Sequence, residues 1–385
     1  MARAFRSLYI APAIRGIVAA LGLAVVACAF PAAQTAPAPQ TPAPSVCDLT
    51  TTERIVAIGD VHGAFNAFVA ILREAGLIDR NRRWTGGKAV LVQLGDVLDR
   101  GPDSKQALDL LRRLETDAAK AGGQVQALVG NHEVMRMVGD LRYVSAKEYA
   151  AFASGDAQVL RDSLYAAVST AERARVKAAG EKFDEPPFRR AFYDGTPLGL
   201  IEMHRAFAPT GDYGGWLRTR NTFIRLNGIV FVHGGMSPLV AAAGCTAIDA
   251  RMRLELQAAA LGSLVEPELL GRPDGPLWYR GLVDGTGTEA ELEGVLAGLG
   301  ARAIVVGHTV MADNRIQLRE NGRVIGIDTG MLAGDFYPNG VASALEIKDG
   351  IATAIYVGRR DVLGPVATLR VDHRGGAPLR HQFLR

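Results

Sequence analysis

The chain reads as an α/β fold in which two β-sheets pack face to face with helices outside. Three observations lead there. Between Thr51 and Asn131, apolar runs alternate with amphipathic helical stretches in a β-α-β-α-β order. Beyond His308 the pattern changes to short strands joined by turn pairs such as Asn321-Gly322 and Asp349-Gly350. Five apolar runs also end in glycine-flanked turns that carry Asp, His or Asn.

Taken in order, Ile55-Val56-Ala57-Ile58 runs into Gly59-Asp60-Val61-His62-Gly63, and Phe65 to Ala75 follows as a helix. The run Ala89 to Leu94 leads to Gly95-Asp96-Val97-Leu98-Asp99-Arg100-Gly101, with a helix expected over Ser104 to Ala121. Val125 to Val129 leads to Gly130-Asn131-His132-Glu133. Later, Ile229 to Val232 precedes His233-Gly234-Gly235, and Ala303 to Val306 precedes Gly307-His308-Thr309. Helices are expected over Ile248 to Leu261 and Glu289 to Leu299. Strands are expected over Arg315 to Leu318, Val324 to Asp328, Val341 to Ile347 and Ile351 to Val357. Ligands of open α/β sheets collect beyond the carboxyl ends of the strands, so these loaded ends point to one crevice. A single Gly-Asp turn carries little weight, because Gly and Asp are ordinary turn formers. Five in series are better explained as one metal site.

This series resembles the calcineurin-like metallophosphoesterases, and within them the phosphoprotein phosphatase superfamily, over about residues 54 to 357. The resemblance implies a four-layer αββα sandwich of two mixed sheets. It also implies two divalent metal ions, with Asp60 and His62 on the first, Asp96 bridging, and Asn131, His233 and His308 on the second. A mixed carboxylate and imidazole set suits Mn, Fe or Zn, with Mn the expected activating ion. A metal-bridging hydroxide would then attack phosphorus in line. His132 would act as general acid on the leaving group, with Asp99 as its orienting partner. Arg100 offers a planar fork to phosphate oxygens, and Asn131 is expected to bind the phosphate as well. Arg280, in Pro276-Leu277-Trp278-Tyr279-Arg280-Gly281, resembles a second phosphate clamp. Glu133 is expected to tie down the Asn131 turn, and Tyr279 either lines the pocket or packs. His204, His373 and His381 are not expected to be ligands.

Nearly a hundred residues separate Glu133 from the strand at Ile229, more than the resembling phosphatases usually carry there. Ser145-Ala146-Lys147-Glu148 has the form of a capping box, and the stretch to Lys182 is rich in Ala, Arg, Glu and Lys. A helical cap insertion over 134–225 is therefore expected beside the active-site mouth, since so long an unstructured loop is unusual in a compact domain. The insert resembles that of the bacterial Shewanella-like phosphatases more than anything in the eukaryotic Ser/Thr enzymes. The eukaryotic Ser-Ala-Pro-Asn-Tyr motif is absent, and Asp328-Thr329-Gly330-Met331 stands at the comparable place. The metallophosphoesterase part is expected over 47–133 and 226–365, with a tail at 366–385.

At the start, Arg3, Arg6 and Arg15 precede an apolar stretch from Ile17 to Phe30 and then a Pro/Ala-rich segment. That order predicts an export signal over 1–30 and a linker over 31–46, hence a periplasmic or extracellular protein. Acylation of Cys28 would be the route to a membrane. Cys47 and Cys245 then remain, either as a disulfide or as two buried thiols. A chain of 385 residues with 48% apolar content can bury a large core. Its net charge of +3 is scattered, which gives nucleic-acid binding no support.

The expected activity is hydrolysis of a phosphorylated protein, at tyrosine or at serine/threonine, or of a small phosphomonoester. Hydrolysis of dinucleoside polyphosphates is the second reading. The intact Asp99-Arg100-Gly101 speaks against it. A non-catalytic binding module is the third, and it would require a lost ligand where none is missing.

Overall fold

The computed structural model describes residues 46–263, 269–334 and 336–368. The expected signal and all but the last residue of the linker lie outside the described residues, as do Cys28, His373 and His381.

The first half follows the β-α-β-α-β order. It contains β1 (Ile55–Ile58), α1 (Phe65–Glu74), β2 (Val90–Gln93), α2 (Ser104–Lys120) and β3 (Gln124–Ala127). Six helices come next: α3 (Asn131–Val138), α4 (Ala146–Phe152), α5 (Ala157–Ala178), α6 (Glu185–Gly195), α7 (Leu200–Phe207) and α8 (Asp212–Leu217). The chain returns through β4 (Phe223–Leu226), β5 (Ile229–Val232), α9 (Pro238–Ala241), α10 (Cys245–Ala258), α11 (Glu289–Leu299) and β6 (Ala303–Val306). It finishes with β7 (Gln317–Arg319), β8 (Val324–Gly326), β9 (Ser343–Lys348), β10 (Ile351–Tyr356) and β11 (Arg359–Pro365).

These strands form two mixed sheets, the middle layers of the αββα sandwich. One has the order β11-β10-β9-β1-β2-β3, and the other β4-β5-β6-β8-β7. In the first, β1 to β3 are parallel and β9 to β11 antiparallel. In the second, β5, β6 and β8 are parallel, with β4 and β7 as antiparallel edges. β1, β2, β5 and β6 are buried at every position, as expected of parallel strands covered on both faces. α1 packs against β9 and β10, and α2 against β3. All the loaded turns lie at the carboxyl ends of β1, β2, β3, β5 and β6, so they meet where the two sheets meet.

Two strands escaped the sequence reading. β4 pairs with β5 around Asn227-Gly228, whose φ values of 52° and 71° are the left-handed pair that a tight hairpin turn requires. Residues 223–225, expected to end the insertion, therefore belong to the sheet. β11 is an edge strand with an irregularity opposite Ala352/Thr353, and its mostly exposed side chains hide the alternation.

Within the insertion, Ser145 accepts from the Glu148 N–H while Glu148 reaches back to the Ser145 N–H, which completes the expected capping box. The Phe152, Phe207 and Tyr213 rings lie 5.4–5.8 Å apart and fasten α4, α7 and α8 together. Cys47 and Cys245 form a disulfide with Cα atoms 5.9 Å apart, so the free-thiol alternative does not apply. It pins the start of the fold to the first residue of α10. Among the described residues, no helix is long and apolar enough to cross a membrane.

Candidate metal centre and active site

The crevice is built from sharp turns. His62, Asp96, Asp99, Arg100 and His308 all have φ between 47° and 71°, a region that non-glycine residues rarely occupy. Each costs on the order of 1–3 kcal/mol, so the surrounding structure must hold it in place. Two glycines show how closely the turns approach. A Cβ on Gly130 would lie 2.3 Å from Asp96 Oδ1, and one on Gly95 would lie 2.3 Å from Gly130 N. Glu133 supplies much of the restraint, since its carboxylate accepts the N–H groups of Gly130, Asp96, Val97 and Leu98 at 2.8–3.2 Å. It ties the Asn131 turn as expected, and fastens the Asp96 turn as well.

Asp96 stands at the centre, almost completely buried. Its Oδ2 lies 3.3 Å from His233 Nε2, 3.6 Å from His62 Nε2 and 3.8 Å from His132 Nε2. Asp60 Oδ2 is 3.6 Å from His62 Nε2, and Asp60 Oδ1 accepts the His308 N–H at 2.9 Å. Asn131 Oδ1 and His308 Nδ1 lie 2.8 and 3.1 Å from His233 Nε2. Two clusters follow, sharing Asp96: one with His62 and His132, the other with His233 and His308.

The orientation of the imidazoles tells what this set wants. His62 Nδ1 donates to Leu98 O at 2.9 Å and His233 Nδ1 to Leu94 O at 3.0 Å. Backbone carbonyls thereby turn both Nε2 lone pairs inward, the usual outer support of metal-binding histidines. The His233 lone pair then faces the Asp96 carboxylate and the Asn131 amide oxygen, and the buried His308 Nε2 has no partner. A cation resolves that crowding, and the donor set suits a dinuclear metal site. The charges agree. Burial alone would raise Asp96, yet the neighbouring His233 and His132 hold it well below the usual carboxylate range. Burial likewise opposes charge on His233, but Asp96 and Asp60 lift it to about 9. His308 goes the other way, down to about 3, through burial and the His233 charge.

The reactive face adjoins this centre. His132 Nδ1 donates to Asp99 Oδ2 at 2.7 Å, which leaves Nε2 facing the crevice. Burial would lower the His132 pKa, but Asp96 and Asp99 raise it. Arg100 places Nη1 at 2.6 Å from His62 Nε2 and Nη2 at 3.4 Å from His132 Nε2. Its Nη1 also meets the Tyr337 hydroxyl. Arg280 sits at the His308 turn, donating to His308 O at 2.6 Å and Thr309 Oγ1 at 3.2 Å. Tyr279 is half-buried beside Gly235 and Gly281. His204 lies on α7 in the insertion and belongs to neither cluster.

Four other residues at the site escaped the sequence reading. The Tyr143 and Tyr337 rings both lie near the Arg100 guanidinium, each centroid 5.8 Å from it. Arg136 is buried and bonds Asp99 and Glu148. Asp328, noted only as a departure from the eukaryotic motif, is buried with Oδ2 unpartnered. Burial and the charge of Asp60 push its carboxyl well above the usual range. The capping box marked Glu148, but nothing in the spacing shows what its carboxylate meets. The other three sit in segments that only the folded chain brings together.

This geometry suits a phosphoesterase centre, and the calcineurin-like phosphoesterase family model matches residues 53–312, so the chain belongs to that family. It is a hydrolase of phosphoester bonds. Among its relatives, Shewanella-like protein phosphatase 2 of Arabidopsis thaliana is 31% identical over 302 residues, covering 77% of this chain and 75% of the relative. Shewanella-like protein phosphatase 1 of Plasmodium berghei is 28% identical, covering 74% and 70%. A solved cold-active protein tyrosine phosphatase superposes with a TM-score of 0.61 at 25% identity, over 83% of this chain and 82% of that one.

Proposed function

We propose that the protein is a metal-dependent phosphomonoesterase acting on phosphorylated proteins, with Asp60, His62, Asp96, Asn131, His233 and His308 as the metal ligands. Two divalent cations, Mn being the expected pair, would supply a hydroxide nucleophile at neutral pH and neutralise phosphoryl oxygens. The observation that carries the reading is the convergence of those six residues beside Arg100 and the His132–Asp99 pair. Arg100 grips phosphate oxygens from one side and Arg280 from the other. Asn131 adds a side-chain amide at the same place. His132 gives its Nε2 proton to the departing oxygen, with Asp99 holding the opposite nitrogen. Hydrolysis of p-nitrophenyl phosphate and of diadenosine tetraphosphate, both with Mn, tests the reading. Faster turnover of the dinucleotide would favour the polyphosphate hydrolase instead.

Phosphotyrosine is the proposed substrate residue. Two aromatic rings beside Arg100 suit a phenyl phosphate, whereas a phosphoserine side chain has no ring to pack against them. The tyrosine phosphatase named among the similar structures supports this choice. Matched peptides that differ only at the phosphorylated residue test it, and an equal or higher kcat/KM for phosphoserine would overturn it. Export is the proposed localisation, supported by the order of the leader sequence and by the disulfide. N-terminal sequencing of the mature protein should find a start between Cys28 and Gln34, and an intact Met1 in the cytosol would refute export.

A further inference from the structure

The insertion reaches into the catalytic loop rather than only walling it. Tyr143 O accepts the Arg100 N–H at 2.8 Å, Ser145 Oγ donates to Gly101 O at 3.2 Å, and Glu148 Oε1 accepts the Asp99 N–H at 3.3 Å. Three consecutive residues of the second motif are therefore held by one short stretch of the insertion. Two of them, Asp99 and Arg100, are in the left-handed region and need such restraint.

Arg136 completes the attachment. Its Nη2 bonds Asp99 Oδ1, the oxygen that His132 does not use, and meets Glu148 Oε1 at 3.1 Å. Its Nη1 lies 3.1 Å from Met203 Sδ, and its guanidinium covers the Phe207 ring at 5.2 Å. Arg136, Asp99 and Glu148 are each no more than 2% exposed. Stability alone does not account for this. Desolvation offsets much of what a buried ion pair gains, and well-packed apolar residues often do as well in its place. What an apolar residue cannot do is fix the rotation of the Asp99 carboxylate.

We propose that Arg136 and Glu148 form a positioning pair for leaving-group protonation: held between two carboxylates, the guanidinium aims Asp99 Oδ2 at His132 Nδ1 and couples the insertion to the acid step. The inference rests on the reading of His132 as general acid. Neither residue touches the substrate. The pair acts through Asp99, so its loss should be felt most where the leaving oxygen needs its proton most.

The test uses the full chain loaded with Mn and two substrates, p-nitrophenyl phosphate and glycerol 2-phosphate. Glu148→Gln keeps the side-chain shape and should keep the fold. Arg136→Met removes the charge, and Arg136→Lys returns it without the planar fork. In Glu148→Gln and Arg136→Met, kcat for the alkyl phosphate should fall about tenfold more than kcat for the aryl phosphate, a part of the roughly 10²–10⁴-fold that a general acid contributes. KM should change little, and Arg136→Lys should recover part of the loss. Combining Arg136→Met with His132→Asn should add almost nothing to the alkyl-phosphate loss of His132→Asn alone, because both act on one proton. If Arg136→Met does not fold, Glu148→Gln and its combination with His132→Asn give the same comparison. Equal losses on both substrates, or full additivity with His132→Asn, would overturn the positioning role. Leaving-group discrimination in His132→Asn but none in Glu148→Gln defeats this inference alone. No discrimination in His132→Asn defeats the acid reading and the positioning pair together.

Discussion

Replacing Asp96 by Asn probes the centre with the smallest change of shape. Asp96 Oδ1 accepts the His132 N–H at 3.0 Å, and an Asn Oδ1 can keep that bond. What disappears is the negative charge on Oδ2, the atom 3.3–3.8 Å from three imidazole nitrogens. A unit charge about 4 Å from a dication, at an effective dielectric of about 20, interacts by roughly 8 kcal/mol. Much of that is offset by the hydration the carboxylate has already given up. If only about a quarter survives, each ion loses about 2 kcal/mol, or roughly thirtyfold in affinity. The new amide also points N–H groups at lone-pair donors, which opposes refilling of the site. Metal content at limiting free Mn, measured by mass spectrometry, should drop for both ions. Turnover of p-nitrophenyl phosphate should fall by about a thousandfold or more, because metal loss and loss of transition-state charge act together. Metal content and kcat/KM within about twofold of the parent protein would refute the argument, since a twofold change is far below one charge in a buried site.

Other consequences concern stability and substrate binding. His204 is held neutral in the fold, its pKa lowered to about 4 by burial and by the nearby Arg136 charge. The unfolded chain takes up a proton there near the ordinary value of about 6.5 while the folded chain does not, so stability is lost as pH falls from about 6.5 toward 4. His204→Leu should remove up to about 3 kcal/mol of that pH dependence and leave metal content alone, as urea unfolding at pH 7 and pH 4.5 would show. An unchanged difference between the two pH values would contradict it. The Cys47–Cys245 disulfide closes a separation of 198 residues. Cys245→Ser should therefore cost about 2–5 kcal/mol of stability, with reductant producing the same fall in Tm in the parent protein. A Tm indifferent to both would contradict the cross-link. Tyr337→Phe removes the hydroxyl that meets Arg100 but keeps the ring. It should raise KM for phosphotyrosyl peptides less than Tyr337→Ala does, and equal effects would argue against a role for the ring.

Most of the metal centre was legible because its parts obey local rules. An apolar run makes a buried strand, a Gly-Asp or Gly-His pair makes the turn that follows, and the turn delivers its side chain to the sheet edge. Asp60, Asp96, Asn131 and His308 directly follow a glycine, His62 and His233 directly precede one, and the structure brings all six together. β4 was missed although Asn227-Gly228 is a strong hairpin signal, because only four residues precede it and they adjoin a helical insertion. β11 was missed because Arg359-Arg360-Asp361 reads as a solvated loop. It forms an edge strand through backbone pairing with β10. Tyr143, Arg136 and Tyr337 answer to no local rule. Tyr337 reaches Arg100 across 237 positions of sequence, and Arg136 reaches Asp99 across 37, so only the packed fold shows the contact.

The central claim is that catalysis depends on a dinuclear metal site. Strip the full chain with chelator, return Mn in measured increments, and follow bound metal and p-nitrophenyl phosphate hydrolysis in the same sample. The account predicts no hydrolysis in the stripped protein and a rise that saturates at two ions per chain. Full activity after stripping, or saturation at a single ion, would contradict it.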